Sequence, residues 1–259
     1  MKGQSTARKQ RGEITTCDLE PFRHLTDGEL IFRLDDPHPR TRAAAARLLG
    51  DRRCAEAVNA LCERLRTEKA LYARLADGES LAAIGLPALP ALISLLGKIG
   101  NNQYHAVPET GFYKKSYPLP RDLAVRVIIR VGERALPSLE EAIRQGDRAV
   151  RLELVDAIGH IAFTSKNTRS EEILLDLYNE SAGDDLMRWK LVRAFQSFPS
   201  AEVRELLEEI ISTESVTVMR CDALRSLSLH NQRVPEDTIA IINRDTHPEV
   251  QKAAGFFLK

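Results

Sequence analysis

The 259-residue sequence predicts an all-α fold, an α-solenoid (α-α superhelix) of about seven stacked helical hairpins. Composition points that way: aromatic residues are only 5%, charged residues reach 29%, and Leu, Ala, Glu and Arg dominate, the palette of helices packed through small and aliphatic side chains. A recurring unit supplies the second observation, an apolar helix followed by a short polar turn and a second helix with Arg near its start. The repeat step is the third: Arg42, Arg74, Arg121, Arg151, Arg188, Arg220 and Gln251 follow one another at about 30 to 37 residues, apart from one long step, the period of helical-hairpin repeats.

Along the chain, Met1 to Cys17 carries Lys2, Arg8, Lys9 and Arg11 without the apolar run of a secretory signal. Residues 1–24 are expected to be a basic tail largely outside the repeats, and 25–259 a single repeat domain. Second helices open at Thr41 (TRAAAARLLG), Val150 (VRLELVDAIG), Met187 (MRWKLVRAFQ), Met219 (MRCDALRSLS) and Val250 (VQKAAGFFLK), with looser copies at Ala73 and Pro120. Apolar residues one before, three after and seven after the anchor, such as Val150, Leu154 and Ile158, paint one helix face. Pro90 and Pro137 occupy the same place in two first helices, where a first helical turn tolerates the missing N–H. Asp36, Glu68, Glu214 and Asp245 lie six residues ahead of their anchors, in the turns. The apolar stretch from Leu81 to Gly97 is broken by Pro87, Pro90 and Ser94 and is too short to span a membrane.

These residues resemble the HEAT-like repeats named after phycobilisome lyases, above all DDPHPRTRAAAARLLG from Asp35 to Gly50 and DTHPEVQKAA from Asp245 to Ala254. The likeness covers residues 25–259; repeat two departs from it by placing Asp77 at a core position. It implies that turn acids and helix arginines form a hydrogen-bond ladder between neighbouring repeats, and that second helices line a concave side.

Two features interrupt the periodicity. Pro90 precedes its anchor Arg121 by 31 positions whereas Pro137 precedes Arg151 by 14, so about 17 residues are inserted. The insertion, at about 101–120, holds Tyr104, Phe112, Tyr113 and Tyr117 with Lys114 and Lys115. Loops this long are functional or disordered. Three readings stand: rings that patch the helical stack, a partner contact, and a mobile loop. The second feature is a stripe at five residues past each anchor, Arg47, Glu79, Arg126, Asp156, Arg193 and Arg225, with Arg130 and Lys190 on the same face. This predicts a mildly basic groove for an acidic partner.

Formal net charge is zero, which gives no global pull toward nucleic acid or an anionic membrane. Cys17, Cys54, Cys62 and Cys221 form no C-x-x-C pair and are expected to be structural thiols in a reducing cytoplasm. The histidines are scattered, and no Walker loop, H-E-x-x-H, G-x-S-x-G or glycine fingerprint is present. The expected function is a non-enzymatic protein-binding scaffold without cofactor or metal, using Arg47, Arg126, Arg130, Lys190, Arg193, Arg225 and Trp189 together with the insertion's Tyr104, Phe112, Tyr113 and Tyr117. A nucleic-acid-binding protein, with Trp189 as a stacking residue, is the alternative. A bilin lyase or lyase subunit ranks third and rests on the family's name alone.

Overall fold

The computed structural model describes residues 2–230 and 233–258, which hold fifteen α-helices and no strand. They divide into two compact units. The first comprises residues up to 101 and 123–135; the second comprises 102–122 and 136 onward. The chain therefore leaves the first unit at the insertion, returns for one helix, and then completes the second unit.

The first unit contains α1 (Lys2–Gln10) and three hairpins: α2 (Asp27–Arg33) with α3 (Pro39–Asp51), α4 (Val58–Thr67) with α5 (Leu71–Ile84), and α6 (Leu89–Ser94) with α7 (Leu123–Val131). Thr26 starts α2 with a capping box, its hydroxyl accepting from the Glu29 N–H while Glu29 accepts from the Thr26 N–H. Between α3 and α5 the side chains are small: Ala43 to Ala46 are buried, and a Cβ on Gly50 would lie 2.6 Å from Ser80 Cα. The Ser80 hydroxyl donates to Ala46 O at 2.6 Å. Small residues let the two backbones approach, which is why this run is alanine-rich.

The N-terminal segment is docked, contrary to the loose tail expected. Tyr72 N–H donates to Arg11 O at 2.9 Å, Arg8 Nε donates to the Tyr72 hydroxyl at 2.8 Å, and Gly12 is buried against Ala73. Gly12 has φ +90°, and a Cβ there would sit 2.9 Å from the Ala73 nitrogen. Both the conformation and the space require glycine.

The second unit contains four hairpins: α8 (Leu136–Gln145) with α9 (Arg148–Ser165), α10 (Glu171–Glu180) with α11 (Asp185–Ala194), α12 (Ala201–Thr213) with α13 (Thr217–Ser228), and α14 (Glu236–Arg244) with α15 (Pro248–Phe257). Seven hairpins thus match the seven expected. Asp147 and Asp184 cap α9 and α11 by accepting from the N–H groups of Val150 and Met187. Leu154, Ile158, Leu191 and Phe195, at the predicted spacing from their anchors, are fully buried.

The ladder implied by the resemblance is present within each unit. Asp36, Glu68, Glu214 and Asp245 each accept from the N–H two residues on, at His38, Ala70, Val216 and His247. Three of them also take the anchor of the preceding repeat: Arg42 pairs with Glu68 at 2.6 Å, Arg188 with Glu214 at 3.3 Å, and Arg220 with Asp245. Burial would raise the Glu68 carboxyl, but hydrogen bonds from Arg42, the Ala70 N–H and Arg64 outweigh it and bring the pKa down to about 2. In six hairpins the anchor is the fourth residue of the second helix; Arg121 instead lies before α7, whose fourth residue is Arg126. The insertion ends at that point, so the repeat spacing no longer fixes the register.

Candidate polypeptide-binding face

Equivalent positions on the second helices have different fates in the two units. In the first, Arg47, Arg126 and Arg130 are exposed, and Glu79 lies 3.3 Å from Arg47 and 3.8 Å from Arg130. In the second, the exposed stripe does not exist: Lys190 is 1% exposed, Arg193 4% and Arg225 0%. The reason is the insertion. Residues 102–122 contain neither helix nor strand and lie along the second helices α9, α11, α13 and α15 of their own unit.

Beneath the segment is a layer of ionisable groups. Lys190 Nζ donates to Glu153 Oε1 at 2.9 Å and to Leu152 O at 3.0 Å, and lies 3.1 Å from Asp156 Oδ2. Burial opposes the Lys190 charge, but Asp156 and Glu153 outweigh burial and hold its pKa above the usual lysine value. Arg193 lies over the Trp189 ring at 4.4 Å and near the Tyr104 ring at 5.7 Å, a cation shielded by aromatic faces. Trp189 donates its Nε1–H to Asp222 Oδ2 at 2.7 Å and meets Tyr104 edge-on at 4.7 Å. At 2% exposure it is a core residue, which removes it as a stacking platform for bases.

The segment itself is held through its main chain. Phe112 N–H donates to Asp222 Oδ1 at 3.4 Å, while Arg225 donates from Nε to Lys114 O at 2.9 Å and from Nη2 to Ser116 O at 2.8 Å. Arg225 Nη2 also reaches Gln196 Oε1 at 2.7 Å, and the guanidinium sits 5.0 Å from the Phe112 ring. Burial lowers the Arg225 pKa to about 10, so it stays charged at neutral pH. Burial likewise raises the Asp222 carboxyl, against the pull of Arg193 and Arg225.

Side chains fix the ends. Tyr113 donates its hydroxyl to Glu249 and stacks on Phe257 at 6.4 Å. That bond lowers the Glu249 pKa, while burial and the same bond raise that of Tyr113. Tyr117 is buried beside His160 and Phe163, over Gly159, where any Cβ would strike the Tyr117 ring and lie 2.9 Å from Ala194 Cβ. Tyr104 is half-buried with Arg121 stacked 3.7 Å from its ring. The insertion therefore covers the unit's helical stack, the first of its three sequence readings.

Sequence reasoning missed Asp222, Gln196 and Glu249, which sit where a helix charge reads as an ordinary solvated face. The available signal was the pairing of charges at two and five residues past the anchor in α9, α11 and α13: Glu153 and Asp156, Lys190 and Arg193, Asp222 and Arg225. Cys54, Cys62 and Cys221 are buried free thiols and Cys17 is exposed; burial raises the Cys62 and Cys221 pKa values to about 11 and about 12. Among the described residues no helix is long and apolar enough to cross a membrane.

Residues 29–100 match the sequence model described as HEAT repeats. No curated protein matches the chain. Two solved crystal structures of engineered proteins are similar to it: one at 16% identity and TM-score 0.41, over 90% of this chain and 68% of its own, the other at 17% and 0.37, over 90% and 94%. The chain is an all-α helical-repeat protein whose residues 29–100 match HEAT repeats, and two anchor-to-acid pairs of the same kind, Arg188 with Glu214 and Arg220 with Asp245, lie in its second unit.

Proposed function

We propose that the chain is a non-enzymatic scaffold that binds another protein along its second helices, working in the cytoplasm. The supporting observation is that this face, in the second unit, already holds a stretch of polypeptide through hydrogen bonds to its main chain. Recognition of an extended backbone by fixed side chains is a general mode of peptide binding. Helical-repeat surfaces of this kind serve many unrelated functions, so the site and not the fold carries the reading.

In the first unit the corresponding face is exposed and bears Arg47, Arg126 and Arg130. An acidic stretch of a partner suits it, competing with Glu79 for Arg47 and Arg130. Reversing Arg126 and Arg130 to Glu is expected to weaken partner binding about tenfold or more while the chain keeps its helical circular dichroism. Most of the binding difference is expected to vanish at 1 M salt, where the Debye length is about 3 Å. The check is affinity purification of the tagged full chain and its variant, with and without nuclease. Capture that nuclease abolishes favours the nucleic-acid alternative, and capture indifferent to the reversal removes these arginines from the site.

A further inference from the structure

We propose that the second-helix face of the second unit is a recognition surface for an extended polypeptide of the pattern Phe-Tyr-x-x-x-Tyr, that segment 102–120 is its resident ligand in cis, and that a partner presenting this pattern displaces it. The proposal rests on the scaffold reading above and names the ligand class of one face.

The pattern follows from which atoms are read. Counting from Phe112, the face takes the N–H of that residue through Asp222 and the carbonyls two and four residues on through Arg225. One residue on, a tyrosine hydroxyl reaches Glu249 while its ring lies against Phe257. Five residues on, Tyr117 fills the slot that Gly159 leaves open beside His160. Intervening side chains at Lys114, Lys115 and Ser116 are exposed, so their identity is free to vary.

Three observations favour an exchangeable ligand over a permanent part of the core. The segment has no helix or strand of its own, and all seven hairpins are complete without it. Beneath it lie buried ionisable groups, Glu153, Asp156, Lys190, Asp222 and Arg225, which are costly to keep dry and for which a purely structural cover would more cheaply substitute apolar residues. Finally, it lies within the connection between α6 and α7, which pack on each other directly, so release breaks no hairpin. A tethered ligand competes at an effective concentration in the millimolar range, which masks the face from weak competitors and leaves it open to a better one.

The test uses a synthetic peptide spanning residues 102–120, labelled for fluorescence anisotropy, with a scrambled peptide of identical composition as control. It is titrated into the full chain and into a variant of the full chain in which 103–119 is replaced by a Gly/Ser linker. The expected result is a variant that keeps its helical circular dichroism, binds the peptide, rejects the scrambled one, and binds at least about tenfold more tightly than the wild type, whose face is filled. A Tyr113→Phe peptide is expected to bind several-fold more weakly through loss of the Glu249 contact. A helical variant that ignores the peptide overturns the proposal. So does a variant that loses its cooperative melt, since the segment is then core. Either failure leaves the scaffold reading standing if partner capture still depends on Arg126 and Arg130.

Discussion

Replacing Lys190 by methionine is expected to destabilise the protein by about 3–5 kcal/mol, the range for removing one partner of a buried ion pair. Among the described residues Lys190 is the only cation within ion-pair distance of either Glu153 or Asp156, and all three are at most 3% exposed. Methionine fills much the same volume, so lost packing contributes little; the cost comes from two carboxylates left dry. Burial, with Asp156 nearby, already pushes the Glu153 carboxyl up against the pull of Lys190. Adding Glu153→Gln and Asp156→Asn to Lys190→Met is therefore expected to recover most of the loss. Urea titration of the single and triple variants at pH 7 checks this. Equal destabilisation of both would show that the layer is held by shape and not by charge.

Asp77→Asn is expected to have the opposite sign, raising stability at pH 8 by on the order of 3–5 kcal/mol. Asp77 is 2% exposed on α5, and burial, then the nearby Glu68, raises its pKa to about 8 against the pull of Arg64, Arg42 and Arg74. In the fold it keeps a proton that the unfolded chain gives up near pH 4, so the folded state binds more protons between about pH 4 and 8. The contribution is fully present below about pH 4 and is lost as pH rises through 8. Asparagine keeps the shape without the charge, so the variant's stability is expected to fall less steeply across that window. Glu68 works in another range: its pKa is depressed to about 2, so its contribution is present above about pH 4.5 and lost on acidification. Denaturant midpoints at pH 5 and pH 8 for both proteins give the answer, and an unchanged pH slope in the variant rules out Asp77 as its source.

Asp77 also illustrates what the sequence could and could not convey. The periodic anchors made the seven hairpins and the acid-to-arginine ladder legible, because a contact repeated once per unit leaves a repeated residue. Asp77 was visible as a charge at a core position. The basic groove failed for a different reason. Arg193 and Arg225 occupy the same helical position as Arg47, yet only the first two are covered by residues 102–122, and periodicity on a helix does not reveal what a distant loop lays over it. Trp189 is buried for the same reason. The insertion's aromatic residues marked it as more than a disordered linker, but its path was set by Asp222, Arg225 and Glu249, which look like surface charges in isolation. The N-terminal segment was misread because one glycine and one main-chain hydrogen bond dock it, and neither leaves an apolar pattern.

The polypeptide-binding face rests on the placement of segment 102–120 across α13, and a single engineered cysteine tests that placement. A Cβ at position 111 would lie 3.3 Å from the Cβ of Cys221, just under the roughly 3.5–4.5 Å found in disulfides. Gly111→Cys, refolded in a glutathione redox buffer and mapped by peptide mass spectrometry, is predicted to yield an intramolecular 111–221 disulfide as its main product. A chain that keeps its helical content while the introduced thiol remains open to alkylation, or pairs with Cys17 instead, would contradict the placement, and with it the claim that this helical face holds an extended polypeptide.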